Sequence, residues 1–290
     1  MAEPLPVSFL NGQWPPLREA RISPLDRGFL YGDGAYEVIP VFESRPFRFS
    51  QHFDRLERSL TAIRLRDPYT RHIWKTLIQE LIHRNGGGDL YIYLQVSRGA
   101  EYGRNHAPLP AIEPTVFAFC APLPRPSTVQ IAQGLACITT QDTRWSRCDI
   151  KSISLLPNVL LRQLAIDAQA QETILLRDGF LTEASTSTVH IIKDGVLITP
   201  PESKKILPGT TRSVVEEIAD RLHIPRQVLP VTESQLRQAD EIWLASATRD
   251  ISAVTLLDGE CISAGKAGPL FHKMWQGFID LRTELAAKPW

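Results

Sequence analysis

The sequence has few of the features that mark a secreted, membrane or metal-binding protein. Only four cysteines occur among 290 residues, none in a CxxC pair or close to a histidine. A zinc site or disulfide framework is therefore not expected, and a reducing cytoplasm is the default compartment. No apolar run is long enough to span a bilayer, and the N-terminus lacks the basic segment and apolar core of a secretory signal. Acidic and basic residues balance at 32 each, so no basic surplus favours non-specific nucleic-acid binding.

What the chain does have is enough apolar material for a large core and clear turn signals. Hydrophobic residues make up 43% of it, and hairpin-type dipeptides occur at Asn11-Gly12, Asp178-Gly179 and Asp194-Gly195. Because the strands cluster in hairpins and do not alternate regularly with helices, the pattern predicts an α+β fold. Three prolines within residues 122–126 predict a linker over residues 122–127. This linker separates a smaller N-terminal domain, residues 1–121, from a larger C-terminal domain, residues 128–290.

Helices and strands follow from the spacing of apolar residues. The predicted helices open at Ser50, span roughly residues 70–84 and 156–171, and follow Gly209 and Gly268. The clearest predicted strands cover residues 90–97, 115–121 and 241–246.

Lys151 is the lysine whose setting differs most from that of the other seven. It alternates with Ile150 and Ile153, directly ahead of an apolar run. A lysine drawn toward a core becomes a nucleophile when its pKa is lowered, whereas a strand-edge lysine keeps its charge in water. Both interpretations stay open on position alone.

Three further groups are candidates for binding chemistry. Gly209-Thr210-Thr211 opens a predicted helix. The free N–H groups of its first turn could bind an anion, or threonine could simply cap them. Ser246 and the following residues add hydroxyls after a buried strand. Glu183 precedes a run of small polar residues and could hold a cationic ring nitrogen or be a solvated acid.

A fourth group could recognise a carboxylate. The group consists of Tyr36, Arg104 and His106. Arg104 and His106 share a glycine- and proline-rich loop. Arginine offers paired donors to a carboxylate, although exposed loop residues are often only solvated. His52 and Arg55 share one face of the helix that opens at Ser50. They could bind an anion together or be ordinary surface charges.

Taken in order, these segments resemble the fold-type IV family of pyridoxal 5′-phosphate (PLP) enzymes over nearly the whole chain. The segments that carry the resemblance are DRG (26–28), YGDGAYE (31–37), HFDRL (52–56), RCDIKS (147–152), TEAS (182–185), LPGTTR (207–212) and SAT (246–248). Within that family, QVSRG (95–99) followed by RNH (104–106) is similar to the D-amino-acid aminotransferases, notably D-alanine transaminases.

The resemblance implies a fold, an activity and a set of site residues. The fold would be a smaller N-terminal α/β sandwich-like domain and a larger C-terminal pseudo-barrel that binds PLP. The activity would be ping-pong transamination between a D-amino acid and a 2-oxo acid, in a cytoplasmic homodimer with shared active sites. Lys151 would form the Schiff base with PLP and carry the proton between Cα and C4′. The other implied cofactor-binding residues are Arg55, Glu183, Ser185, Thr186, Leu207, Thr210, Thr211, Ser246 and Ala247, and the implied substrate-binding residues are Tyr36, Arg104 and His106.

Three positions depart from the family pattern. Thr188 stands where an asparagine is usual, and Ala247 replaces a threonine and its hydroxyl. Arg249 replaces a small polar residue, and either adds charge near the cofactor or lies on the surface.

Other activities on the same fold are the alternatives. They are a branched-chain L-aminotransferase, an (R)-amine transaminase and an aminodeoxychorismate-type lyase, all three of which the arginine–histidine loop disfavours. A catalytically silent PLP-binding protein and a binding domain without PLP complete the set.

Overall fold

The computed structural model describes residues 3–110, 112–123 and 125–287. These residues form two compact units. The first unit comprises residues up to 123 together with residues 150–155, and the second comprises residues 125–149 and 156–287. Segment 150–155, which contains Lys151, therefore packs with the N-terminal unit although it follows the predicted linker. Pro124 of that linker lies outside the described residues.

The first unit contains an antiparallel sheet of five strands in the order β1-β5-β4-β2-β3. Its elements are β1 (Ser8–Leu10), a 3-10 helix (Leu17–Glu19), α1 (Arg27–Tyr31), β2 (Gly34–Phe42), β3 (Arg45–Pro46), α2 (Phe49–Ala62), α3 (Arg71–Arg84), β4 (Leu90–Ser97) and β5 (Thr115–Pro122). Alternate residues of β4 are buried, as expected for a strand with one face toward a core. The core joins that face to apolar side chains of α2 and α3, among them Phe53 and Trp74.

The second unit contains a mixed sheet in the order β11-β10-β9-β12-β13-β6-β7-β8, with β14 paired to β13. Its elements are α4 (Thr128–Gln133), β6 (Leu135–Gln141), α5 (Leu156–Asp167), β7 (Glu172–Arg177), β8 (Phe180–Ala184), β9 (Thr188–Lys193), β10 (Val196–Thr199), α6 (Thr210–Arg221), β11 (Arg226–Val228), α7 (Glu233–Arg237), β12 (Glu241–Ser246), β13 (Asp250–Leu257), β14 (Glu260–Cys261), a 3-10 helix (Ser263–Gly265) and α8 (Pro269–Ala286). The edge strand β8 also contacts β9, so this sheet curls toward itself.

Most of the predicted local structure is confirmed. At Asn11-Gly12, Asp178-Gly179 and Asp194-Gly195 both residues have positive φ, as a two-residue hairpin turn requires. The helix predicted over residues 156–171 is wrong at its end, because α5 stops at Asp167. Gln171 instead donates its backbone N–H to the carbonyl of Ala136 beside β6.

Candidate active site

Lys151 lies against strand β2 of the first unit. Its carbonyl accepts the N–H of Tyr36 at 3.0 Å, and its own N–H donates to Ser59 Oγ at 3.2 Å. Its ammonium Nζ lies 4.2 Å from the centroid of the Tyr36 ring, within cation–π distance. Tyr36 in turn stacks on Tyr93 with ring centroids 5.7 Å apart. The half-buried lysine therefore has a fixed backbone and an aromatic neighbour, which is not the setting of a free surface lysine.

His52 and Arg55 both face a buried carboxylate rather than solvent. The Arg55 guanidinium donates from Nε and a terminal nitrogen to the two oxygens of Glu37, each at 2.7 Å. His52 Nδ1 lies 2.7 Å from Glu37 Oε2. Burial raises the pKa of the Glu37 carboxyl, but the charge and hydrogen bonds of Arg55 outweigh it and hold that pKa at about 2. The alternative that His52 and Arg55 are surface charges is therefore wrong.

Arg104 and His106 occupy an exposed loop that leaves the sheet after β4. At Gly99, where the loop begins, φ is +99° and a Cβ would overlap the Glu113 carbonyl oxygen. Only glycine fits such a position. The guanidinium of Arg104 lies over the ring of Tyr31, 5.2 Å from its centroid.

Glu183 is buried near the end of β8 in the second unit. Its carboxylate accepts an Arg144 N–H at 2.5 Å and the Leu207 backbone N–H at 3.2 Å. Arg144 is itself oriented by two hydrogen bonds to Asp142, each 2.9 Å long. Burial raises the pKa of Glu183, and the charge of Arg144 only partly opposes that rise. The solvated-acid alternative for Glu183 is therefore wrong.

The small polar residues after Glu183 bind a second buried carboxylate. Ser185 Oγ and Thr186 Oγ1 both donate to Glu172, the latter at 2.6 Å. Within the described residues, the buried Ser187 Oγ has no hydrogen-bond partner. Ser185 and Thr186 are therefore satisfied by Glu172, whereas Ser187 Oγ could accept or donate a hydrogen bond to a ligand.

Helix α6 begins without a side-chain cap. Gly209 is its N-cap residue and, having no side chain, cannot cap the first turn, while Thr210 and Thr211 are buried. A Cβ at Gly209 would lie 2.6 Å from Thr188 Oγ1. The helix N-terminus therefore lies close to Thr188, and its N-cap residue supplies no side-chain cap to the first turn.

The residues after β12 form a partly buried turn. Ser246 and Ala247 are half-buried, and the Ser246 carbonyl accepts the Arg249 N–H at 3.3 Å. The Arg249 guanidinium donates to the Gln171 carbonyl at 3.2 Å. Arg249 is thus tied to the backbone that precedes β7.

Several residues of these networks escaped the sequence analysis. Arg144 holds Glu183 in place and Glu172 holds Ser185 and Thr186, although each of these pairs is distant in the chain. Arg144 and Glu183, for example, are 39 positions apart. No local sequence pattern indicates such pairs, because the two residues become neighbours only in the folded chain.

The described part of the chain lacks metal-binding clusters and membrane-spanning helices. It contains no group of three or more histidine, cysteine, aspartate or glutamate side chains that could hold a metal ion. No helix within it is both long and apolar enough to cross a membrane.

Comparisons with known proteins agree in family and fold. The sequence model of the amino-transferase class IV family matches residues 34–257. A D-alanine aminotransferase of Staphylococcus epidermidis is 38% identical over 93% of this chain and 95% of its own length. One of Listeria monocytogenes is also 38% identical, over 90% of this chain and 91% of its own.

Solved structures show the same architecture. A T.th. branched-chain amino acid aminotransferase with pyridoxamine 5′-phosphate has a TM-score of 0.90 and 26% identity, covering 95% of this chain and 93% of its own. The same enzyme complexed with N-(5′-phosphopyridoxyl)-L-glutamate has a TM-score of 0.88. The predicted α+β, two-domain fold-type IV class is confirmed. The chain belongs to the class IV aminotransferases.

Proposed function

We propose that this chain is a PLP-dependent aminotransferase that exchanges the amino group of a D-amino acid with a 2-oxo acid. The donors would be of the D-alanine and D-glutamate class, and pyruvate or 2-oxoglutarate would be acceptors. The observation that carries this proposal is the 38% identity to D-alanine aminotransferases over more than nine tenths of the chain. The arginine–histidine pair, Arg104 and His106, supports the same assignment.

The donor set suits a phosphorylated pyridine aldehyde. Lys151 supplies an amine nucleophile with a fixed backbone, and α6 presents an N-terminus without a side-chain cap. The unpartnered Ser187 Oγ is a further atom that a ligand would satisfy. Bound PLP supplies an electron sink for the charge that develops at the substrate Cα.

The residues that we assign to the cofactor phosphate would donate hydrogen bonds to it. They are the backbone N–H groups of Thr210 and Thr211, the Thr211 hydroxyl, Ser246 and the Ala247 N–H. A helix N-terminus favours such an anion through its unsatisfied N–H groups and its dipole. Arg55 joins this set as a guanidinium already oriented by both oxygens of Glu37.

On the ring side, the carboxylate of Glu183 would hold the pyridine nitrogen in its protonated form. Arg144 and the Leu207 N–H fix the orientation of that carboxylate. Ser185 and Thr186 shape the adjoining turn through their hydrogen bonds to Glu172. Lys151 Nζ would bind the cofactor carbon C4′ and, once the amino donor displaces it, move the proton between Cα and C4′.

On the substrate side, Tyr36, Arg104 and His106 would bind the α-carboxylate. Arg104 and His106 are exposed in the single chain, which is expected of residues that complete a neighbouring subunit's site. We therefore propose a homodimer in which each loop serves the partner. The four cysteines are free thiols, which supports a reducing, cytoplasmic location.

The branched-chain aminotransferase structures favour one second candidate, an L-specific enzyme on the same fold. Those structures are only 26% identical to this chain, whereas the D-alanine aminotransferases are 38% identical. The second candidate therefore ranks below the first.

The substitution Lys151→Ala tests the catalytic assignment. We expect transfer from D-alanine to 2-oxoglutarate to fall by at least about a thousandfold, because no amine remains to carry the proton. The control is Lys193→Ala, which removes an exposed lysine paired with Asp240 and should leave turnover unchanged. Circular dichroism checks that both variants fold. Turnover by folded Lys151→Ala at the rate of the control would refute the assignment.

A further inference from the structure

The loop of residues 101–110 has no regular secondary structure, and only its first residue, Glu101, is buried. It nevertheless carries Arg104 and His106, whose side chains must hold a defined position to recognise a carboxylate. Preorganised donors bind better because less conformational freedom is lost on binding. Some feature of the first unit must therefore fix this loop.

Arg27, in the DRG segment at the start of α1, is that feature. Its side chain is 4% exposed, and its Nε donates to Asp33 Oδ2 at 2.9 Å. One terminal nitrogen donates to Glu101 at 2.5 Å and to the Asn105 carbonyl at 2.6 Å. The other terminal nitrogen donates to the His106 carbonyl at 2.9 Å. A single guanidinium thus donates hydrogen bonds to two consecutive backbone carbonyls in the segment that contains Arg104 and His106.

The ring of Tyr31, one turn later in α1, supports the same segment. Arg27 lies over this ring at 4.6 Å from its centroid and Arg104 at 5.2 Å. The His106 ring centroid is 5.5 Å from that of Tyr31. Both side chains that would recognise substrate therefore rest on one aromatic surface.

We propose that Arg27 and Tyr31 are positioning residues for carboxylate recognition, which act through Arg104 and His106 without touching substrate. This inference rests on the proposed function of the loop. It gives a role to two segments, DRG and YGDG, that the catalytic assignment leaves without one. Lysine cannot replace Arg27, because an ammonium lacks the planar fork that reaches two carbonyls and two carboxylates together.

The experiment compares Arg27→Lys with Arg98→Lys in the holoenzyme. Arg98 binds the same Asp33, but its other contacts are the carbonyls of Ile63 and Arg64, outside the loop. We expect Arg27→Lys to raise KM for both D-alanine and pyruvate by about tenfold, with kcat changed less than about twofold and PLP retained. Arg98→Lys should leave KM unchanged whatever it does to thermal stability. Equal KM values for the two variants would overturn the proposal.

The same substitution in an Arg104→Ala/His106→Ala background separates this inference from the proposed function. If Arg27 acts through Arg104 and His106, Arg27→Lys adds less than about twofold to the KM of that double variant. Fully additive effects would overturn the positioning role. If Arg104→Ala alone left KM unchanged, the proposed carboxylate role would fail first. Should Arg27→Lys fail to fold, Glu101→Gln removes the charge of one Arg27 partner and should raise KM to a smaller extent.

Two substitutions at Tyr31 test the ring. Tyr31→Leu removes the aromatic surface and should raise KM as Arg27→Lys does. Tyr31→Phe keeps that surface, so KM should stay within about twofold of wild type. A raised KM for Tyr31→Phe would instead assign the hydroxyl to substrate binding and overturn the positioning role of the ring.

Discussion

At the residue scale, two buried glutamates show how neighbours decide the state of a carboxyl group. Burial raises the pKa of both. Glu37 accepts two hydrogen bonds from Arg55 and contacts His52, and its pKa falls to about 2. Glu183 accepts hydrogen bonds from Arg144 and the Leu207 N–H, but burial and the negative charge of Asp142 outweigh them, so its pKa stays raised. The pKa values of the two carboxyl groups are therefore shifted in opposite directions, and Arg144 is the neighbour that most opposes the rise at Glu183.

This difference predicts a pH effect of the substitution Arg144→Gln. Arg144 lowers the pKa of Glu183, so its removal raises that pKa further. If the reaction needs ionised Glu183, activity falls as pH drops through this pKa. The acid limb of the kcat profile should therefore move to higher pH in Arg144→Gln.

The control for this pH profile is Arg226→Gln, which breaks an exposed pair with Asp220. It should leave the acid limb in place. An acid limb that Arg144→Gln leaves unmoved, or moves to lower pH, would contradict the role of Glu183.

At the element scale, the start of α6 depends on a close contact with β9. Gly209 has φ −73°, a backbone conformation that any residue can adopt. Glycine is needed there only because a larger side chain would not fit. A Cβ would press against Thr188 Oγ1. The threonine that departs from the family pattern thus leaves no space for a side chain at the N-cap of α6.

We predict that Gly209→Ala weakens PLP binding to the apoenzyme by about tenfold or more, because the displaced helix start no longer faces the phosphate. Thr188→Ala removes the obstructing hydroxyl and should restore most of the affinity in the double variant. Fluorescence titration of apoenzyme with PLP gives the dissociation constants. Failure of Thr188→Ala to rescue Gly209→Ala would show that this contact does not control the site.

Much of this element structure could be predicted from the sequence. Asn-Gly and Asp-Gly turns carry their geometry in two residues, and the capping box of Thr232 and Gln235 is present at the start of α7. Helix α4 was missed although it has a local capping box, formed by Ser127 and Gln130. Strands β2, β6 and β13 were also missed, and β6, for example, pairs with β7 and β13, which are distant from it in sequence. The same reason hid Arg144 and Glu172. Local chemistry is readable in the sequence, whereas contacts between distant segments require the fold.

At the scale of the whole molecule, the proposed active site requires two copies of the chain. The expected mass in solution is twice the 32.6 kDa of one chain. Most soluble homo-oligomers are closed symmetric dimers, in which both copies contribute the same loop. Light scattering after size-exclusion chromatography measures this mass directly.

Mixed dimers test whether the loop serves the partner's site. We predict that Lys151→Ala and Arg104→Ala chains, unfolded and refolded together, recover about a quarter of wild-type activity at low substrate concentration. Random pairing gives one intact site in each mixed dimer, because one chain supplies the lysine and the other the arginine. Each variant refolded alone is the control. No recovery above the two controls would place Lys151 and Arg104 of one chain in one site.

Visible absorption of the holoenzyme, titrated in parallel with D-alanine and L-leucine without an acceptor, tests the D-amino-acid transaminase assignment. We expect D-alanine to remove the absorption band of the Lys151-linked cofactor and L-leucine to leave it unchanged. Loss of the band with L-leucine alone would contradict the D-amino-acid assignment and the carboxylate role of Arg104 and His106. A band that neither donor changes would contradict the transaminase assignment itself.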